Sequence, residues 1–149
     1  YDETLINDFF NLMVISKADY TILFRKLSDI PDNLASLKNS FYLPINEELN
    51  KRWGVWLKNW KYTLEKEAKI ESKSASMKSL NPAYTWREWM VVPAYEDAEK
   101  GNYDKIKELQ NVFSNPYIEQ PADIDLKFNQ LKPIKYFNFG GISHYSCSS

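Results

Sequence analysis

The sequence is short of the residues that most small active sites are built from. Its 149 residues include one cysteine, Cys147, one histidine, His144, and four glycines. A single cysteine excludes a disulfide scaffold. His144 and Cys147 are three positions apart, but two such side chains fall short of the four ligands of a structural zinc, so no metal site is expected. Two of the glycines, Gly140 and Gly141, are adjacent, which leaves no glycine-rich phosphate loop. Asn138-Phe139-Gly140 has asparagine where the kinase metal-binding tripeptide needs aspartate, and too little sequence follows it for an activation segment. Long apolar runs are missing too, none approaching the ~18 residues that would span a bilayer. Excess charge is absent: 19 basic against 20 acidic residues give a net charge of −1, so no global field recruits nucleic acid or an anionic membrane. No internal repeat recurs, which argues against a helical solenoid. Neither a secretory nor a transit pattern follows Tyr1. The chain is therefore expected to be soluble and intracellular and, starting without methionine, a fragment or a processed product.

What is present is helical periodicity, on a chain long enough for one core that buries roughly 68–70% of its unfolded surface. Leu5, Ile6, Phe9, Phe10, Leu12 and Met13 predict a buried helix from Asp2 to Ile15, with Asp2 as its cap. Asp19 is placed to cap a second helix with Tyr20, Leu23, Phe24 and Leu27 on its face. Pro31-Asp32-Asn33 is turn chemistry, and a short helix over residues 33–39 follows.

Asn46 caps the clearest helix, predicted from Glu47 to about Ile70, with Leu49, Trp53, Trp56, Leu57, Trp60 and Leu64 on one stripe. Basic and aromatic residues interleave here, as on a platform that stacks single-stranded bases. Stacking needs rings and charges on one face, however, and Lys51, Arg52, Lys58 and Lys61 largely avoid the face of the tryptophans. The spacing therefore predicts core.

The serine-rich stretch 72–79 reads as a loop or frayed helix. Asn81-Pro82 predicts a new helix start, continued by Tyr84, Trp86, Trp89 and Met90 up to Lys100 and kinked or split at Pro93. Arg87, with Glu88 beside it between Trp86 and Trp89, is suited either to a buried ion pair or domain contact or to reaching solvent. Gly101 supplies a left-handed stop and Asn102 a cap candidate. Ile106, Leu109 and Phe113 then carry a helix that closes an αα-hairpin at Asn115-Pro116. From Pro121 prolines and glycines break the pattern, so an extended path across a surface is expected. The fold class is all-α: an irregular bundle of about five to seven helices over residues 1–120, with an extended C-terminal tail over 121–149.

Ser146-Cys147-Ser148-Ser149 puts the lone thiol where it is reachable. Its third-from-last position, followed by serines, does not fit a prenylation box. With no second cysteine, any disulfide partner lies on another protein, on a small thiol or on sequence outside this chain. A cysteine–histidine nucleophile pair lacks an oxyanion hole and an orienting third residue. Residue chemistry alone favours an inert tail, with a reactive thiol as the alternative.

Taken together, Asn81-Pro82-x-Tyr84-x-x-Arg87, Ala94, Ala98-Glu99-x-Gly101, Asn115-Pro116-Tyr117-x-Glu119-Gln120 and Cys147-Ser148-Ser149 resemble the C-terminal region of the selenoprotein O (SelO) family. Ala18-Asp19-Tyr20-Thr21 with Phe24-Arg25 and Leu27 looks like a further segment of it. The resemblance implies a pseudokinase that transfers AMP from ATP to hydroxyl side chains of proteins, using ATP with Mg²⁺ or Mn²⁺ bound in a kinase-like core. It places no catalytic, cofactor-binding or metal-binding residue in this chain, which is expected to be inactive alone. It makes Cys147 a redox-responsive residue, and the partners would be the core of the same full-length protein and, through it, protein substrates, with neither nucleic acid nor membrane. A mitochondrial location in a eukaryote, or a cytoplasmic one in a bacterium, is also implied. The alternative is a freestanding helical interaction module with an incidental terminal thiol.

Overall fold

The computed structural model describes residues 3–67 and 69–138. Among these residues the regular structure is helical: α1 (Glu3–Ser16), α2 (Tyr20–Leu27), α3 (Glu47–Glu67), α4 (Ile70–Leu80), α5 (Glu88–Glu99), α6 (Asp104–Phe113) and α7 (Ala122–Phe128), with 3-10 segments at Leu34–Ser40 and Ile134–Tyr136. This is the all-α class the periodicity predicts. The chain forms two compact units, Tyr1–Pro82 and Ala83–Ser149. Each has its own cluster of buried apolar side chains, where length alone predicts a single core. The Asp2 cap, His144 and Cys147 lie outside the described residues.

In the first unit α1 lies along α3. Trp53 is fully buried, and its indole N–H donates to Ser16 Oγ at 2.9 Å. Trp56 donates to the Leu5 carbonyl at 2.8 Å while Phe9 stacks on its ring at 4.7 Å. The tryptophan stripe is thus core, with both indole donors satisfied as buried indoles require. On α1 the burial is narrower than the periodicity suggests: Phe9 and Leu12 are buried, but Phe10 is 51% exposed. The caps predicted at Asp19 and Asn46 are present: Asp19 Oδ1 accepts from Ile22 N–H at 3.1 Å and Asn46 Oδ1 from Leu49 N–H at 2.8 Å. Asn33, read as turn chemistry, also caps, its Oδ1 accepting from Ala35 N–H at 2.9 Å; each satisfies an orphan donor of a helix start.

The stretch 72–79 departs from its loop reading, for it forms most of α4. The helix buries no residue completely, so its order comes from polar contacts with α2. Arg25 Nη1 donates to the carbonyls of Lys78 and Asn81, both at 3.1 Å. Ser74 Oγ donates to the Ser28 carbonyl at 2.6 Å, and Lys78 pairs with Asp29. Asn81 follows α4 as its C-cap and donates through Nδ2 to Ser28 Oγ at 3.1 Å, so it closes one helix rather than opening the next.

In the second unit α5 and α6 form the expected hairpin. Between them Gly101 has φ +84°, and Asn102 Oδ1 accepts from Asp104 N–H at 3.0 Å. α5 begins at Glu88, later than the sequence suggests, and runs unbroken through Pro93. Residues 83 and 84 are not helical because their N–H groups both donate to the Pro116 carbonyl, at 2.8 and 3.3 Å. Beyond Pro121 the extended reading is corrected over residues 122–128, which form α7 with Asp123 and Asp125 in its first turn, where acidic side chains suit the helix dipole. Phe128 anchors this helix in the core beside Tyr84, Met90 and Leu109.

Candidate functional site

The positions that carry the family resemblance around Tyr84 and Gln120 meet in the second unit. Tyr84 is 1% exposed. Its hydroxyl donates to Asp125 Oδ1 at 2.9 Å and accepts from Gln120 N–H at 3.1 Å. Gln120 Nε2 reaches the Val112 carbonyl at 2.7 Å, and Asn129 Nδ2 donates to Asp125 Oδ1 at 3.1 Å. One phenol therefore joins the loop before α5, the loop after α6 and the helix α7. Burial pushes the Tyr84 phenol up; Asp125, which accepts its proton, and the Glu119 charge act in the same direction, while the Gln120 N–H opposes them. This is the chemistry of a fastener: the phenol stays protonated, and its neighbours hold it rather than activate it.

Arg87 does not sit inside a helix. It is half-buried and immediately precedes α5, where its carbonyl accepts from Met90 and Val91. The buried arginine is Arg25 instead, 6% exposed, which lies in the last turn of α2 and binds the end of α4. Sequence reasoning meets Arg25 only within the Phe24-Arg25 segment of the family resemblance and gives it no structural role.

A second arrangement lies between α1 and α3. One part of a cleft there, about 290 Å³, has Leu5, Leu12 and Trp56 among its lining, with Asp8, Lys51 and Arg52. An adjoining part of about 360 Å³ shares Leu5, Asp8 and Asn59 with it and adds Tyr62, Thr63 and Lys66. Along α3 the open residues 51, 55, 59, 62 and 66 recur at helical spacing, one stripe beside the tryptophan stripe. Val55 in the middle is 57% exposed. Lys66 Nζ lies 4.2 Å from the centre of the Tyr62 ring. Lys51 and Arg52 form no ion pair among the described residues. The sequence signal for this stripe is present but weak, because polar positions at helical spacing are the ordinary sign of a solvated face.

Among the described residues no group of three or more histidine, cysteine, aspartate or glutamate side chains is placed to hold a metal ion. No described helix is long and apolar enough to cross a membrane. The redox assignment of Cys147 and its pairing with His144 fall outside the described residues.

The family described as "Protein adenylyltransferase SelO" matches residues 1–114. Proteins similar to the chain are named protein nucleotidyltransferase YdiU. That of Pseudomonas aeruginosa strain LESB58 is 32% identical, covering 81% of this chain and 24% of its own length. Those of Tolumonas auensis and Methylobacillus flagellatus are 31% and 32% identical, each covering 99% of this chain and 29% of its own. The chain thus spans about a quarter of the length of the curated relatives it matches. Matched over most of its length, the chain belongs to the SelO family.

Proposed function

We propose that this chain is the C-terminal helical part of a protein adenylyltransferase that moves AMP from ATP onto hydroxyl side chains of proteins. The observation that carries this reading is the family match over residues 1–114 together with the short span of the relatives that the chain covers. In such a transfer the substrate oxygen bonds to the α-phosphorus, the bond between that phosphorus and the bridging oxygen to the β-phosphorus breaks, and pyrophosphate leaves. The hydroxyl proton passes to a base of the catalytic core. ATP and Mg²⁺ or Mn²⁺ belong to a kinase-like pseudokinase core contributed by the rest of the polypeptide, and the 149-residue chain alone is inactive. Its work is to pack its helices on that core and to present Cys147. The thiol forms a disulfide, intramolecular or mixed, when an oxidant removes two electrons and two protons from the pair. A mitochondrial or bacterial cytoplasmic setting accords with this reading.

The test uses the full-length protein with ATP labelled at the α-phosphate and Mg²⁺ or Mn²⁺. Label should appear on the protein itself or on other proteins, and none with the 149-residue chain. A full-length protein that labels nothing would overturn the proposal. Oxidant should change the labelling rate of the full-length enzyme but not that of its Cys147→Ser variant; equal insensitivity of both removes the redox role.

A further inference from the structure

We propose that the cleft between α1 and α3 is the seat of an amphipathic segment from the remainder of the same full-length polypeptide, apolar at its middle and acidic towards its ends. The proposal rests on the reading of this chain as one part of a larger enzyme, and it names the surface by which the part is held. Leu5, Leu12 and Trp56 give the cleft an apolar lining, and Val55 stands open beside them. An exposed aliphatic side chain above an apolar floor is the arrangement by which a groove takes an amphipathic helix or strand. From residue 51 to residue 66 the open stripe of α3 runs about 22 Å at the α-helical rise, enough for some four turns of a docked helix.

Charge decides what fits. Lys51 and Arg52 stand at one end and Lys66 at the other, with Asp8 between them along the cleft. The basic ends recruit carboxylates and repel a second copy of the same surface. The occupant's source follows from chain length. The relatives are several times longer than this chain, which covers 24% to 29% of them, and a segment tethered on the same polypeptide meets the cleft at a high effective concentration without paying for free diffusion.

The test is protection of the cleft in the full-length protein. Val55→Cys is introduced, and its alkylation rate is read by mass spectrometry of the peptide that contains it. Asn50→Cys, on the other flank of α3 and exposed, serves as reference. The Val55 position should react at least tenfold more slowly than the Asn50 position, with a ratio independent of protein concentration. Adding Lys51→Glu with Arg52→Glu should bring the two rates closer, with unchanged helical circular dichroism showing that the fold survives. Equal rates without the charge changes would overturn the proposal, and so would protection that grows with concentration, which would mean a second copy. AMP transfer is assayed on the same samples. Protection without transfer sinks the enzymatic reading alone, and transfer without protection sinks the docking alone.

Discussion

At the scale of single residues, the polar contacts of buried side chains decide which contacts the fold depends on. Arg25 is a buried cation whose Nη1 serves two carbonyls at the end of α4. Hydrogen bonds to a charged group contribute about 1.5–3 kcal/mol each, so Arg25→Leu should release α4 first. Hydrogen exchange of the amides of residues 73–80 should rise well before that of α1, and equal loosening of both helices would contradict the contact. Trp53 combines full burial with a satisfied indole N–H. Trp53→Ala should cost on the order of 3–5 kcal/mol, seen as a lower urea midpoint at unchanged slope. Tyr84 sets a pH dependence of known sign. Its phenol is raised above the ordinary tyrosine value of about 10 in the fold, chiefly by burial, so the unfolded chain ionises first. The stability it contributes is complete below about pH 10 and is lost as pH climbs through the raised folded value. A phenolate absorbance titration should show one late tyrosine that is missing in Tyr84→Phe; no change in that variant would assign the late titration elsewhere.

At the scale of elements, the turn between α5 and α6 isolates a backbone effect. Gly101 has φ +84°, and a Cβ there would meet nothing within 4 Å. Gly101→Ala should therefore cost only the left-handed penalty, about 1–2 kcal/mol, whereas a larger loss would reveal a contact the structure lacks. This turn was legible in the sequence because glycine states its own conformation. So was α3, where Asn46 and the tryptophan spacing are local signals. α4 was not legible: its serines are neutral towards helix, and the groups that order it, Arg25, Ser28 and Asp29, lie about fifty residues earlier in the chain. The start of α5 was misplaced for a similar reason, since Pro116 takes the amides of Ala83 and Tyr84. The role of Asp125 could not be read either, because only the fold brings it to Tyr84. Of the candidate site, the family motifs were legible as motifs. That Tyr84 and Gln120 act as fasteners, and that α3 presents a second stripe, required the contacts.

At the scale of the whole molecule, two units with separate cores make up a chain that covers about a quarter of its relatives. The first unit contains both the tryptophan core and the α1/α3 cleft, so damage to the core is expected to register at the cleft. Trp56→Leu removes a ring that belongs to both. It should raise the alkylation rate at position 55 in the full-length protein several-fold, and an unchanged rate would separate cleft from core. The bonds from Arg25 to the end of α4 also have a temporal meaning. They close loops of 53 and 56 residues, far longer than the capping turns of α2 and α3, and closing distant ends is entropically costly and slow. On a growing chain α1 and α2 can form as soon as they emerge, but Arg25 must wait for Asn81. The first unit therefore completes itself from its last helix, and until that helix arrives the end of α2 is left with a charge in search of carbonyls.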